Sequence, residues 1–360
     1  MELGTATTTP GERATGWLPV TEMPTGGTER LPVVLVDGAA DGPTVWVTAN
    51  VHGNEVVGLA VAQDLAAALD PADVSGRVVV VPTANPAGLR RKARRSYYGD
   101  EDPNRKLPDP HDEATEPPSV QELVGERLYE AFTETVPADY LLDLHTAGAG
   151  AIPFTIRDRV LYGAARTEDD ARLLAGDVAA LAEAVGLPVV TEYPPEEYTG
   201  KSLQRSVAGA ALNGAGVPAL TLELGEHRHV RPDHRAAGLA AVYRGLVHAG
   251  VLDAVPAEVA EADPGVEAPV EYPVRRFRGP RAERAGVVRH LVEPGAAFAE
   301  GDAVAEVRTV HGEVTETVTA ERDGYVLGHA EGALAYENDP VCSAAVRDDG
   351  DLVAPREGEE

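Results

Sequence analysis

VWVTANVHGNEVVGLAVAQDLAAAL, residues 45–69, changes its hydrophobic period at one point. Val45 to Ala49 is a short apolar run of the kind a buried strand requires. From Val57 onward the period is helical, with Val57, Val61, Leu65 and Leu69 on one face. Asn50 to Glu55 joins the two, so a strand feeds directly into a helix. His52 and Glu55, three apart at the helix entry, project the same way and can reach one metal ion, and Gly53 between them permits a tight approach. Alone, the pair is weak and a satisfied surface histidine is the favoured reading.

The same grammar continues outward. Val78 to Val81, Tyr140 to Leu144, Pro188 to Val190 and Ala219 to Leu224 read as buried strands. Between them Val120, Val124, Leu128 and Phe132 share a helical face, as do Leu174, Val178, Leu181 and Val185, with Gly186 as a C-terminal stop. Strands alternating with helices predict an α/β sheet covered on both faces. After Gly250 the pattern changes. Residues 1–252 form one domain, 253–273 read as a linker or loosely packed connection, 274–347 as a small all-β module punctuated by glycines, and 348–360 as a disordered acidic tail.

Three further places carry chemistry. The strand ending in Asp143-Leu144-His145 puts Asp143 and His145 on one face, which fits either a hydrogen-bonded core pair or a metal ligand oriented by a carboxylate. Glu223 is a lone carboxylate in an apolar strand, costly unless paired or functional. His52, His145 and Glu223 all fall at the carboxyl ends of strands, where open α/β sheets place their sites. Two histidines and a carboxylate with a further Glu as base is the composition of a catalytic zinc site. The third place runs from Asn85 through Arg90–Arg95 to Asp102-Pro103-Asn104-Arg105. It reads as a solvated basic loop or as an amide beside a planar cationic fork, suited to a carboxylate. His227, His229 and His234 alternate with arginines that repel a metal and read as a solvated loop, with a substrate contact open to His227 or Arg228. Lys201 and Arg205 fit surface charges or substrate contacts equally.

The 360 residues carry 31 basic and 59 acidic side chains, a net charge of −28, which argues against a nucleic-acid partner. Lys92, Lys106 and Lys201 are the only lysines. An acidic, lysine-poor chain predicts a halophilic source, with an acidic mesophile as the bland alternative. The single cysteine, Cys342, leaves metal binding to His, Asp and Glu. Met1 to Pro10 lacks the pattern of a signal peptide, and the longest uncharged stretch, Ser206 to Leu222, is too short and polar to span a bilayer. A cytoplasmic protein without a membrane partner is expected.

HGNE, DPNR, DLH and ELG, in that order over roughly residues 40–250, resemble the succinylglutamate desuccinylase and aspartoacylase family of zinc-carboxypeptidase-like hydrolases. The resemblance implies a mixed sheet with helices on both faces, and one zinc ion per chain held by His52, Glu55 and His145 with Asp143 behind His145. It makes Glu223 the general base, Arg95 the group that polarises the scissile carbonyl, and Asn104, Arg105 and Arg94 substrate-binding. Pro103 stands where the family usually has Leu, and the gap from the upstream arginine is longer here. The implied reaction is amide hydrolysis of a small N-acylated substrate, such as an N-acyl amino acid. A peptide-trimming carboxypeptidase and an inactive metal-binding scaffold are the rivals, and a homo-oligomer is possible. Residues 286–345 resemble the small β-barrel appended in this family, related to biotinyl and lipoyl carriers. No lysine follows Lys201, so a carrier role is excluded and a structural or site-capping role is left.

Overall fold

A computed structural model describes residues 1–111, 117–163 and 166–356. One twelve-stranded sheet runs the length of the molecule. From one edge its order is Glu12–Glu22, Thr28–Asp37, Ser75–Val81, Ala40–Ala49, Tyr140–Ala147, Ala219–Glu226, Pro153–Arg157, Val189–Thr191, Val274–Arg278, Cys342–Arg347, Gly324–His329 and Ala297–Phe298. The middle is parallel, from Ser75–Val81 to Ala219–Glu226, while Thr28–Asp37 and Pro153–Arg157 pair antiparallel on either side of it. The sheet is therefore mixed, with helices on both faces as expected. The strands Glu12–Glu22 and Pro153–Arg157 have little apolar patterning and are not among the expected ones, and Thr28–Asp37 is not among them either although Val33–Val36 is an apolar run.

The central strands are apolar because both of their faces are covered. Helix Val56–Ala68 lies against them and against helix Pro232–His248, which also meets Glu168–Val185. Ser119 and Glu122 close a capping box at the start of Val120–Glu130. Gly186 ends Glu168–Val185 at φ 74°, a conformation that favours glycine. Trp46 anchors the core, its Nε1 donating to the Val136 carbonyl at 2.9 Å and its ring edge-on to Phe132.

The C-terminal module is all-β but forms a two-sheet sandwich rather than the expected barrel. Its strands Val274–Arg278, Cys342–Arg347, Gly324–His329 and Ala297–Phe298 complete the twelve-stranded sheet, and Val314–Thr319, Ala303–Arg308, Gly286–His290 and Leu334–Ala335 form a second one. Both contribute to one apolar cluster around Val288, Phe298, Val307, Val318 and Val346. No ladder joins the two sheets among the described residues, and Val274–Arg278 pairs instead with Val189–Thr191 of the preceding α/β part.

The segment 253–273 is ordered around helix Ala257–Ala262 and tied down by an Arg244–Asp263 ion pair. The acidic tail also departs from expectation. Val353–Pro355 is a strand parallel to Val160–Tyr162 in the α/β part, with Val353 and Ala354 buried. Arg159, 2% exposed, explains the order, since Asp348 and the Asp351 carbonyl both accept from its guanidinium. Residues 357–360 lie outside the described residues.

Candidate active site

The turn from strand Ala40–Ala49 into helix Val56–Ala68 is built by its own polar residues. Asn50, at φ 55°, donates through Nδ2 to the carbonyls of His52 and Glu55. Gly53 packs so tightly on the helix Pro86–Arg91 that a Cβ would stand 2.1 Å from the Gly88 carbonyl carbon. The backbone thus delivers His52 and Glu55 side by side.

His145 comes from the neighbouring strand. His52 Nδ1 lies 2.7 Å from Glu55 Oε1, and His145 Nδ1 lies 2.9 Å from Glu55 Oε2. The outer ring nitrogens both face carboxylates: His52 Nε2 is 2.9 Å from Asp102 Oδ1 and His145 Nε2 is 2.7 Å from Asp143 Oδ2. Asp143 also accepts from Thr48 Oγ1 at 2.7 Å. An acceptor on each outer nitrogen fixes the proton there and turns the Nδ1 lone pairs inward.

A metal fits this arrangement. One donor atom from each of His52, Glu55 and His145 lies within 4.8 Å of the others, and this is the single such group among the described residues. His52 Nδ1 is buried and, although close to Glu55, makes no hydrogen bond, as expected of a lone pair aimed at a cation. Burial opposes the charge on Glu55, yet the facing imidazoles outweigh it and hold its carboxyl well below the ordinary range. Burial likewise opposes a charged His145, yet Asp143 and Glu55 push its pKa well above the usual value. A cation between them takes the place of that proton. Buried nitrogen and oxygen donors without cysteine suit zinc with an open position, so one Zn²⁺ per chain is the cofactor these residues hold.

Glu223 is paired in register with His145 on the adjacent parallel strand. Its Oε2 is buried and has no partner, and burial first, then the Glu55 charge, raises its pKa. Asn104 points Nδ2 to within 3.4 Å of His145 Nε2, while its Oδ1 accepts from the Val207 amide at 2.9 Å. Arg105 donates to the carbonyls of Lys201 and Asn104 and lines the cavity. Arg94 bridges Glu55 and Asp102 at 3.1 and 3.0 Å, whereas the exposed Arg95 lines the same cleft. His227 donates to the Ala147 carbonyl and pairs with Glu331, so it joins the cleft wall, while Lys201 and Arg205 do not line the cleft.

Two contributions escaped the sequence. Asp102 holds His52 and caps the turn Pro103–Arg105 by accepting from the Asn104 amide. An Asp before a Pro is a turn-start signal, so its place in the loop was readable though its partner was not. The second is the module: Arg276, Arg278, His329, Glu331 and Ser343 line the cavity of about 400 Å³ beside the metal ligands. No spacing rule connects those positions to His52.

Residues 41–249 match the model of the succinylglutamate desuccinylase/aspartoacylase catalytic domain. The chain is similar to an N-alpha-acetyl-L-2,4-diaminobutyric acid deacetylase of Halomonas elongata, at 28% identity over 236 residues, 63% of this chain. That match spans 60% of the relative's length. Among solved structures, a succinylglutamate desuccinylase/aspartoacylase from Rhodobacter sphaeroides superposes with a TM-score of 0.72 at 24% identity, covering 93% of this chain and 96% of that one. The product-bound ectoine utilization protein EutE (DoeB) of Ruegeria pomeroyi gives 0.70 at 22% identity, covering 96% and 100%. These structural likenesses extend through the C-terminal module and show the shared fold. With the catalytic-domain match spanning more than half of its residues, and its metal triad in place, the chain belongs to the succinylglutamate desuccinylase/aspartoacylase family.

Proposed function

We propose that the protein is a zinc-dependent deacylase that hydrolyses the amide bond of a small N-acylated amino acid. The observation that carries this reading is the partnerless Glu223 Oε2 facing the inward-turned His52, Glu55 and His145. A structural metal needs no such base, which disfavours an inactive scaffold. The cavity of about 400 Å³, walled on one side by the module, suits a small substrate better than a peptide chain end.

Zinc at the triad supplies Lewis acidity and a water of lowered pKa. Glu223 takes a proton from the attacking water at Oε2 and returns it to the departing amine nitrogen. Arg95 stabilises the negative charge that grows on the carbonyl oxygen, with Arg94 beside it holding Glu55. Asn104 and Arg105 bind a carboxylate of the substrate, and Asp143 and Asp102 keep both imidazoles aimed. The name of the Halomonas elongata relative makes Nα-acetyl-L-2,4-diaminobutyrate a substrate to try first. The acidic, lysine-poor composition supports work in concentrated salt.

The test is hydrolysis by zinc-loaded protein of a panel containing N-acetyl and N-succinyl amino acids and short peptides. Cleavage of the acyl amino acids with metal near one equivalent is expected. Release of C-terminal residues from peptides in preference to them moves the assignment to carboxypeptidase, and no cleavage of either class overturns it.

A further inference from the structure

Arg276, on the strand that enters the catalytic sheet from the module, lines the cavity. Its Nη1 donates to Glu192 Oε1 at 2.9 Å and its guanidinium carbon lies 5.5 Å from the centre of the Tyr193 ring. Glu192 is held in turn by the Tyr193 amide at 3.1 Å. Arg276 is thus fixed in place, yet its Nε is buried without a partner. Arg105 is a second guanidinium in the same cavity, bonded to backbone carbonyls, with no carboxylate within ion-pair distance among the described residues. Burial lowers its pKa, Asp102 and Glu192 oppose the shift and Arg276 and Arg94 add to it, so the cations stand within one another's field. Arg276 also lies within electrostatic reach of Glu223.

We propose that Arg276 is a specificity-determining residue, which with Arg105 forms a two-guanidinium seat for a carboxylate of the substrate and makes the C-terminal module part of the substrate site. This rests on the deacylase reading above. Only Arg276 of the two confined guanidiniums touches a carboxylate, Glu192, which leaves Arg105 with no ion pair among the described residues, a place that an anion fills and an uncharged group does not. Their planar forks suit a carboxylate in particular. Both guanidiniums line the same cavity of about 400 Å³ as Glu223, so the carboxylate belongs to the same compact substrate whose amide is cut. It can sit on the amine half, as in Nα-acetyl-L-2,4-diaminobutyrate, or on the acyl half, as in an N-succinyl amino acid.

The experiment compares the zinc-loaded wild type with Arg276→Ala and Arg276→Lys on whichever of Nα-acetyl-L-2,4-diaminobutyrate and N-succinyl-L-glutamate it cleaves. Each carboxylate of the substrate is replaced singly by its carboxamide. In the wild type one carboxamide is expected to lose about 10-fold or more in kcat/KM, mostly through KM, and its position identifies the half that binds. Arg276→Ala should lose a similar factor on the acid and stay within about twofold on that carboxamide, with Arg276→Lys between them. Equal losses on acid and carboxamide, or none on the acid, overturn the proposal. If Arg276→Ala does not fold, the Arg276→Lys comparison decides in the same way. If the wild type cleaves neither substrate, the deacylase reading fails separately. Calorimetry of L-2,4-diaminobutyrate and its carboxamide then judges the seat: tighter binding of the acid by about 10-fold or more supports it, equal binding overturns it.

Discussion

Glu223 and Asp158 are two buried carboxyls whose surroundings push them in the same direction for different ends. Glu223 has an unpartnered oxygen beside the triad, and its raised pKa makes it a better proton acceptor than a solvated Glu. Glu223→Gln should retain zinc and lose about 100-fold or more in kcat, as metal analysis alongside steady-state rates will show. Zinc lost with activity would instead make Glu223 a ligand. Asp158 is 2% exposed, and burial first, then the charge of Glu192, raises it from 3.8 to about 7. A carboxyl with a raised folded pKa contributes its stability fully below the unfolded value, and that contribution is lost as pH rises through about 7. Asp158→Asn, neutral at every pH, should therefore melt higher than the wild type at about pH 8, with the gap closing toward about pH 4. A gap that widens on acidification would contradict the assignment.

At the scale of elements, the sheet explains how the module reaches the site. Strand Val274–Arg278 pairs with Thr191 on one side and Cys342–Arg347 on the other, which carries Arg276 to the cavity. The returning segment 348–356 is a second tie. It places Asp348 and the Asp351 carbonyl on the guanidinium of buried Arg159, and Arg356 on Asp109 at 2.7 Å. Removing residues 348–360 strands both a buried cation and a buried carboxylate, each costly without its partner. The truncated protein is expected to unfold several degrees lower in a thermal melt, and an unchanged Tm would show that the strand Val353–Pro355 adds nothing to the fold.

Over the whole molecule the dominant quantity is the charge of −28 on 360 residues. Its self-repulsion is long-ranged at low salt, and the screening length shortens from about 10 Å at 0.1 M to about 3 Å at 1 M. Stability and activity should rise over that interval, measured by Tm and initial rate in KCl. A flat or falling Tm would remove the halophilic reading and leave the zinc site untouched, because that site depends on short contacts between buried groups. Among the described residues no helix is long and apolar enough to cross a membrane.

The α/β class was legible in local pattern, whereas the ligand set His52, Glu55 and His145 was legible only through the ordered ensemble HGNE, DPNR, DLH and ELG and the family it resembles. Period changes mark strand and helix, and HGNE, DLH and ELG occupy strand ends, where neighbouring parallel strands bring side chains together. The tertiary structure alone decided what meets across long separations. Asp102 approaches His52 over fifty residues of chain, Arg276 reaches Glu192 from another module, and the tail returns to Arg159. The sandwich in place of a barrel has the same origin, because an edge strand binds whichever open edge the folded chain presents, and its own sequence does not name that edge.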